Sequence, residues 1–159
     1  MSTSIKSPIV FLCIFLFSSI LLFRGSSHTK SMHSLTESFT IEVNGSPIAK
    51  VAEDAEDSTQ AKTGSDGAVF TLKDGQLQSG NWLLARNLTE DRSFMPKPVQ
   101  WFKSGEDTAQ RIKPVSASKV GDGYQLRFDN ARLIQREGNI LADLRVDEGE
   151  EQATVKLQT

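Results

Sequence analysis

The stretch Asp66-Gly67-Ala68-Val69-Phe70-Thr71-Leu72-Lys73-Asp74-Gly75-Gln76-Leu77 decides the fold class. Two Asp-Gly pairs bracket a short run in which Phe70 and Leu72 alternate with Thr71 and Lys73. Alternation at period 2 between turn signals marks a strand with one buried and one wet face. Asp-Gly between two such runs is a hairpin signal, because a two-residue hairpin turn needs positive φ at both positions. The same pattern recurs 56 residues later as Asp122-Gly123-Tyr124-Gln125-Leu126-Arg127-Phe128-Asp129-Asn130, with Leu133 in the place of Leu77. After a one-residue gap, Leu83-Leu84-Ala85 matches Ile140-Leu141-Ala142. A weaker third copy starts at Phe39-Thr40-Ile41, with Ile48 in the place of Leu77.

Working outward, period 2 also governs Phe39-Ile41-Val43, Ile140-Ala142-Leu144-Val146 and Ala153-Val155-Leu157. Asn44-Gly45, Ser79-Gly80, Glu137-Gly138 and Glu148-Gly149 supply further turns. No window of helical length carries an apolar stripe; Ala49 to Gln60, the best helical candidate, has too few apolar residues to dock. About ten short strands are therefore predicted, and the chain reads as all-β. Three strand-pair units would suit a β-trefoil-like closed barrel, whose closure removes exposed sheet edges. Two similar hairpins in another small barrel or a sandwich account for the repeat equally, and both architectures stay open.

The N-terminus departs from this pattern. From Ile9 to Phe23 the only polar residues are Ser18 and Ser19, and the block holds Cys13, the one cysteine. Lys6 precedes it; Arg24-Gly25-Ser26-Ser27 follows. This is the layout of a secretory signal. As a helix, 15 residues rise about 22 Å, short of the roughly 30 Å hydrocarbon core, which favours cleavage before His28. Arg24 directly behind the block suits the alternative, an uncleaved signal anchor. The expected organisation is a signal or anchor over residues 1–27, a polar neck over 28–38 without periodicity, and one β domain over 39–159. Membrane contact is expected only through residues 9–23, if they are retained, and the domain is expected to be a monomer.

Composition excludes several classes. With one cysteine, no disulfide scaffold, cysteine zinc site or thiol enzyme is built in the β domain. Past Arg24 the chain keeps 16 basic against 20 acidic residues. That balance disfavours nucleic-acid binding, which needs clustered positive charge. His28 and His33, the only histidines, sit in the neck, away from any rigid triad or metal site. The acidic run Glu53 to Asp57 lacks the alternation of a calcium loop, and it reads as a solvated loop. Neither a metal nor another cofactor is expected. A carboxylate-pair enzyme is the least favoured function; Glu90 and Asp91 beside Arg92 would be its nearest candidates.

The segment that asks for a function is aromatic and basic. Trp82, Phe94, Trp101 and Phe102 lie close together among Arg86, Arg92, Lys97 and Lys103. Phe94-Met95-Pro96-Lys97-Pro98 cannot be a central strand, since proline lacks the ladder donor. It reads as a stiff loop holding Phe94 and Met95 near the surface. Arg92, Phe94, Met95, Lys97 and Trp101 are the candidate binding residues, for a polysaccharide by ring stacking or for a surface protein by hot-spot burial. Trp82 and one of Trp101 and Phe102 are expected in the core, because adjacent strand residues face opposite ways. Asn87-Leu88-Thr89 is a glycosylation triplet, which makes Asn87 a candidate modification site after export. Asn44-Gly45-Ser46 is weaker, being followed by Pro47.

Phe70-Thr71-Leu72-Lys73-Asp74-Gly75-Gln76-Leu77, with the Asp91-Arg92 step some 15 residues on, resembles a run in small secreted proteins of filamentous fungi. One of these is a cell-wall protein of spore-forming cells. The resemblance covers about residues 66–105. It implies a secreted or cell-wall-associated β protein without known catalysis. The leading expectation is thus a non-catalytic β domain at the cell surface or wall; a membrane-anchored accessory domain of the secretory pathway is the alternative.

Expression in a eukaryotic secretory host is expected to release into the medium a chain that starts near His28. N-terminal sequencing checks this. Recovery in the membrane fraction with Met1 or Ser2 intact would establish the anchor instead.

Overall fold

Paired left-handed residues set the register of the sheets. Asn44 and Gly45 (φ 52° and 78°), Asp74 and Gly75 (50° and 78°), and Glu137 and Gly138 (51° and 78°) repeat one two-residue hairpin turn. Asp129 and Asn130 (50° and 67°) make a fourth turn without glycine, which Asp and Asn tolerate better than other side chains. The computed structural model describes residues 29–145 and 153–158. Its strands, in chain order, are β1 (Ser31–Met32), β2 (Phe39–Val43), β3 (Ser46–Pro47), β4 (Thr59–Gln60), β5 (Thr71–Lys73), β6 (Gln76–Ser79) and β7 (Trp82–Arg86). They continue with β8 (Lys97–Lys103), β9 (Val115–Val120), β10 (Gly123–Phe128), β11 (Arg132–Arg136), β12 (Asn139–Asp143) and β13 (Ala153–Leu157). Among the described residues the only helical element is a single 3-10 turn at Thr108–Gln110. The chain is all-β, as its periodicity predicts.

The strands form three sheets, in the orders β1-β9-β10, β11-β12-β8-β7-β6-β5 and β13-β2-β3, with β4 pairing β8 beside β12. Among the described residues no sheet closes on itself into a barrel. The first hairpin of the repeat forms, β5 with β6, whereas β10 and β11 pair in different sheets and meet across Asp129-Asn130 only at the Phe128–Ala131 bridge.

One aromatic file joins two of the sheets. Phe39 and Phe70 exchange both main-chain hydrogen bonds, at 2.9 and 2.7 Å. Their rings lie 6.3 Å apart, and Phe70 stacks in turn on Trp101 of β8 at 5.7 Å and 8°. Ile41, Val43, Ile48, Leu72, Leu77, Leu84, Val99, Leu126, Phe128, Leu133 and Ile140 pack into the same core.

Strands β7 and β8 break the expected alternation. All five residues of β7 are buried, and Trp101 and Phe102 are buried side by side. Both faces of the sheet are covered here: Leu84 and Trp101 face the main core, while Leu83, Ala85, Phe102 and Ile112 form a second cluster on the other side. A strand covered on both faces reads as a continuous apolar run, so the expectation that only one of Trp101 and Phe102 is core is corrected.

The polar neck is also corrected. Ser31 and Met32 pair with Ser118 and Ala117 of β9. His33 O accepts from Gly75 N at 2.7 Å, Ser34 Oγ from Asp74 N at 2.9 Å, and Leu35 N donates to Leu72 O at 2.9 Å. These bonds use main-chain groups and one hydroxyl, so they need no apolar periodicity to form. Ala49 to Gln60 is not helical; it runs irregularly and ends in β4, where the Gln60 amide donates to Ala61 O, Val99 O and Ile140 O. The signal or anchor at residues 9–23, His28, Val146 and the Glu148-Gly149 turn lie outside the described residues. Among the described residues no helix is long and apolar enough to cross a membrane.

Truncating the middle ring of the aromatic file, Phe70→Ala, is expected to cost about 3–5 kcal/mol. Val69→Ala next to it, on an exposed side chain, is expected to cost about 0.5 kcal/mol or less. Urea unfolding of the two variants checks the contrast.

Candidate functional site

Strand β7 ends at Arg86 and β8 begins at Lys97, and both residues are almost fully buried. A buried cation must be neutralised where it sits, and the connection between the two strands supplies the anions. Arg86 grips Glu90 with both arms of its fork, Nε to Oε1 at 3.0 Å and Nη2 to Oε2. Its remaining nitrogen, Nη1, donates to Phe128 O and Asp129 O at 2.9 and 3.2 Å, tying the connection to the β10–β11 turn. Lys97 Nζ donates to Asp91 Oδ1 at 2.6 Å and to Ser93 Oγ at 2.9 Å. Two side chains shape the loop between: Asn87 Oδ1 accepts from Thr89 N and Asp91 Oδ1 from Ser93 N. Such Asx turns fix a loop without a sheet or a helix.

The loop is therefore pinned at Glu90, Asp91 and Ser93, and it carries exposed apolar groups. Phe94 is 81% exposed, Met95 64% and Leu88 54%. Only two other large apolar side chains are exposed among the described residues, Val69 and Val120, so the exposed apolar surface concentrates on this one loop. Arg92 is exposed between Leu88 and Phe94 in the chain.

Electrostatics hold the loop in its pinned form. The Lys97 ammonium, with the Ser93 hydroxyl and N–H, holds the Asp91 carboxyl well below the usual range. Burial alone would raise Asp57 and Asp143; hydrogen bonds from Lys103 N and Arg111 to Asp57, and from Arg145 to Asp143, outweigh it and leave both lowered. A general acid of a glycosidase needs the opposite displacement. Glu90 and Asp91, the nearest candidates for a carboxylate pair, are instead each engaged with a different buried cation.

Of the five predicted binding residues, Arg92, Phe94 and Met95 are exposed on the loop. Lys97 and Trp101 are not. Lys97 is drawn inward because β8 turns it toward Asp91, and Trp101 is held in the aromatic file against Phe70. Asn87 lies half-buried at the loop's foot, beside Glu90, Asp91 and Lys97 around a cavity of about 240 Å³. Leu88 was not legible as a site residue, and the pairing of Arg86 with Glu90 was not foreseen. The available signal was a cation closing the apolar run Trp82-Leu83-Leu84-Ala85, with a carboxylate four residues on.

A second concavity lies at the opposite end of β8. It is an open cleft of about 720 Å³ with Trp82 and Trp101 at its base, Lys50 and Lys103 on its rim, and Asn81 and Ser104 between them. Lys103 Nζ stands 5.5 Å from the centre of the Trp82 ring. Ser104 N and Oγ both donate to Asn81 O at 2.9 Å, and Lys103 N donates to Asp57 Oδ1 at 2.8 Å, so strand end, turn and loop are tied together. Among the described residues no group of three or more His, Cys, Asp or Glu side chains is placed to hold a metal ion.

Comparison of the chain with protein-family models, with curated proteins and with solved structures finds no match.

Glu90→Ala leaves the Arg86 guanidinium buried beside main-chain acceptors alone, and is expected to cost about 3–5 kcal/mol. Asp66→Ala breaks the solvent-exposed pair with Lys50 at 3.2 Å and is expected to cost less than about 1 kcal/mol. Chemical denaturation distinguishes the two. A carboxyl whose pKa is lowered by folding stabilises the fold above its unfolded value of about 3.9, and the stabilisation is lost as pH falls. Acidification from about pH 6 to about pH 3 is therefore expected to lower the Tm of the native chain more than that of Asp91→Asn, measured by circular dichroism.

Proposed function

We propose that this chain is an exported, non-catalytic β domain that binds a partner protein through the exposed apolar side chains of the 87–96 loop. The observation that carries the proposal is the concentration of Leu88, Phe94 and Met95 on a loop locked from beneath by Arg86 and Lys97. A pre-ordered loop loses little conformational entropy on binding, so the apolar area it buries is realised as affinity. Phe94 supplies a rigid anchor, Met95 an adaptable one, and Arg92 a charge with the geometry of interface hot spots. Aliphatic Leu88 and Met95 beside a single ring favour a protein surface over a sugar, which would ask for further ring faces.

The apolar N-terminal block supports export to the cell surface, the wall or the medium. The resemblance of residues 66–105 to secreted proteins of filamentous fungi supports the same address. If the block at residues 9–23 is retained, the same loop works from a membrane anchor within the secretory pathway. Asn87, at the foot of the loop, is the glycan site this reading carries.

Immobilised domain exposed to the native extracellular and wall fraction is expected to retain a protein that the Phe94→Ser/Met95→Ser variant loses by about tenfold or more. Val120→Ser, an exposed apolar change elsewhere, is expected to leave capture unchanged. Equal capture by all three proteins ends the proposal. Capture of glycan alone transfers the site to a saccharide.

A further inference from the structure

The cleft at the far end of β8 is distinct from the loop, and none of the loop's residues lines it. We propose that it is a binding site for an acidic oligosaccharide, a chain of uronate units. Three features carry this: an aromatic base, two ammonium groups on the rim, and neutral hydrogen-bonding groups between them.

Trp82 and Trp101 bring indole to the base of the cleft. Trp101 is committed to Phe70 and 2% exposed; Trp82, itself 8% exposed with Lys103 over it, is the ring whose edge faces the cleft. At present the Lys103 ammonium stands over that ring. Lys103 is exposed and its ammonium rests on the Trp82 ring, so its side chain can swing aside on its flexible stem. The movement uncovers indole for the C–H face of a pyranose and leaves the ammonium beside the sugar's carboxylate. Lys50, on the rim, is engaged only with Asp66 in a pair whose side chains are 57% and 77% exposed. An exposed pair of that kind is worth little, and a ligand carboxylate can replace Asp66. Asn81 and Ser104 offer an amide and a hydroxyl to sugar hydroxyls.

The charge pattern selects the ligand class. Two lysines on one cleft match single carboxylates on a neutral backbone. Glu53, also on the cleft, disfavours a densely charged polyphosphate, and the net charge of −2 disfavours nucleic acid. The cleft is built before any ligand arrives. Asp57 clamps the 50–58 loop to the end of β8 through Lys103 N and Arg111, and Ser104 clamps the β6–β7 turn.

The test uses the only two tryptophans of the chain, both of which lie in this cleft, so intrinsic fluorescence reports on it alone. The purified full chain is titrated with tetragalacturonate, with uncharged cellotetraose, with inorganic phosphate and with a short polyglutamate. A saturable change with tetragalacturonate is expected, weakened about tenfold or more in Lys103→Met, which keeps the stem and removes the charge. Cellotetraose is expected to bind about tenfold or more weakly, and Phe94→Ser/Met95→Ser is expected to bind tetragalacturonate as the native chain does. The proposal is overturned by no change with tetragalacturonate, by equal affinity in Lys103→Met, or by phosphate or polyglutamate matching the sugar. Indole N–H shifts in the native chain give the same answer without a variant: a Trp82 resonance unmoved by saturating tetragalacturonate also overturns it.

Discussion

Phe70 is the residue the structure is assembled around. Its main chain exchanges two hydrogen bonds with Phe39 of one sheet, and its ring lies on Trp101 of another. One residue thus fixes both the distance between two sheets and the rotation of β8 within the core. Everything of functional interest follows from where β8 is held. Its first residue, Lys97, reaches down to pin the 87–96 loop, and its last, Lys103, caps the indole of the cleft. At about 3.3 Å per residue the two positions are some 20 Å apart along the strand. The proposed protein-binding face and the proposed sugar cleft are the two ends of one rigid element.

The loop shows how an acidic chain uses its cations. The net charge is −2, yet Arg86 and Lys97 are buried; Asp91, the partner of Lys97, lies toward solvent, while Glu90 is drawn in with Arg86. Burying the long aliphatic stems adds apolar contact; the solvated Asp91 bears little desolvation cost, and the buried Glu90 is offset by its two-point pairing with Arg86. The loop gains a fixed underside without an aliphatic core of its own, which leaves Leu88, Phe94 and Met95 on the outside.

Local patterns were legible where one face of a strand is wet. Phe39, Ile41 and Val43 are buried as their alternation predicts, and Asp74-Gly75 turns where its sequence demands. The all-β class followed from those signals. Trp101 and Phe102 misled because a second cluster around Ile112 covers the outer face of β8, a long-range fact that no local period encodes. The neck was illegible for a different reason: it is held by main-chain bonds to β9 and to the Asp74-Gly75 turn, to which side-chain polarity is indifferent. Arg92, Phe94 and Met95 were found because Pro96 and Pro98 read as a loop; that reading is corrected at Lys97 and Pro98, which belong to β8 and pair with β12, and the missing proline N–H is tolerated because β7 pairs only from Val99 onward. The cleft was not found, since Trp82 and Lys103 meet only through the pairing of β7 with β8, and Lys50 joins them from an irregular segment.

The docked neck also gives the molecule a mechanical character. A force entering from the N-terminal side meets the two-residue pairing of β1 with β9, then the His33 and Leu35 bonds, before it reaches Phe39. Those few bonds open one after another and release residues 31–38, about 27 Å of extended chain, while the aromatic file stays closed. The segment behaves as a short extensible tether in series with a stiff body. A chain loaded from that side would lengthen before either end of β8 moved.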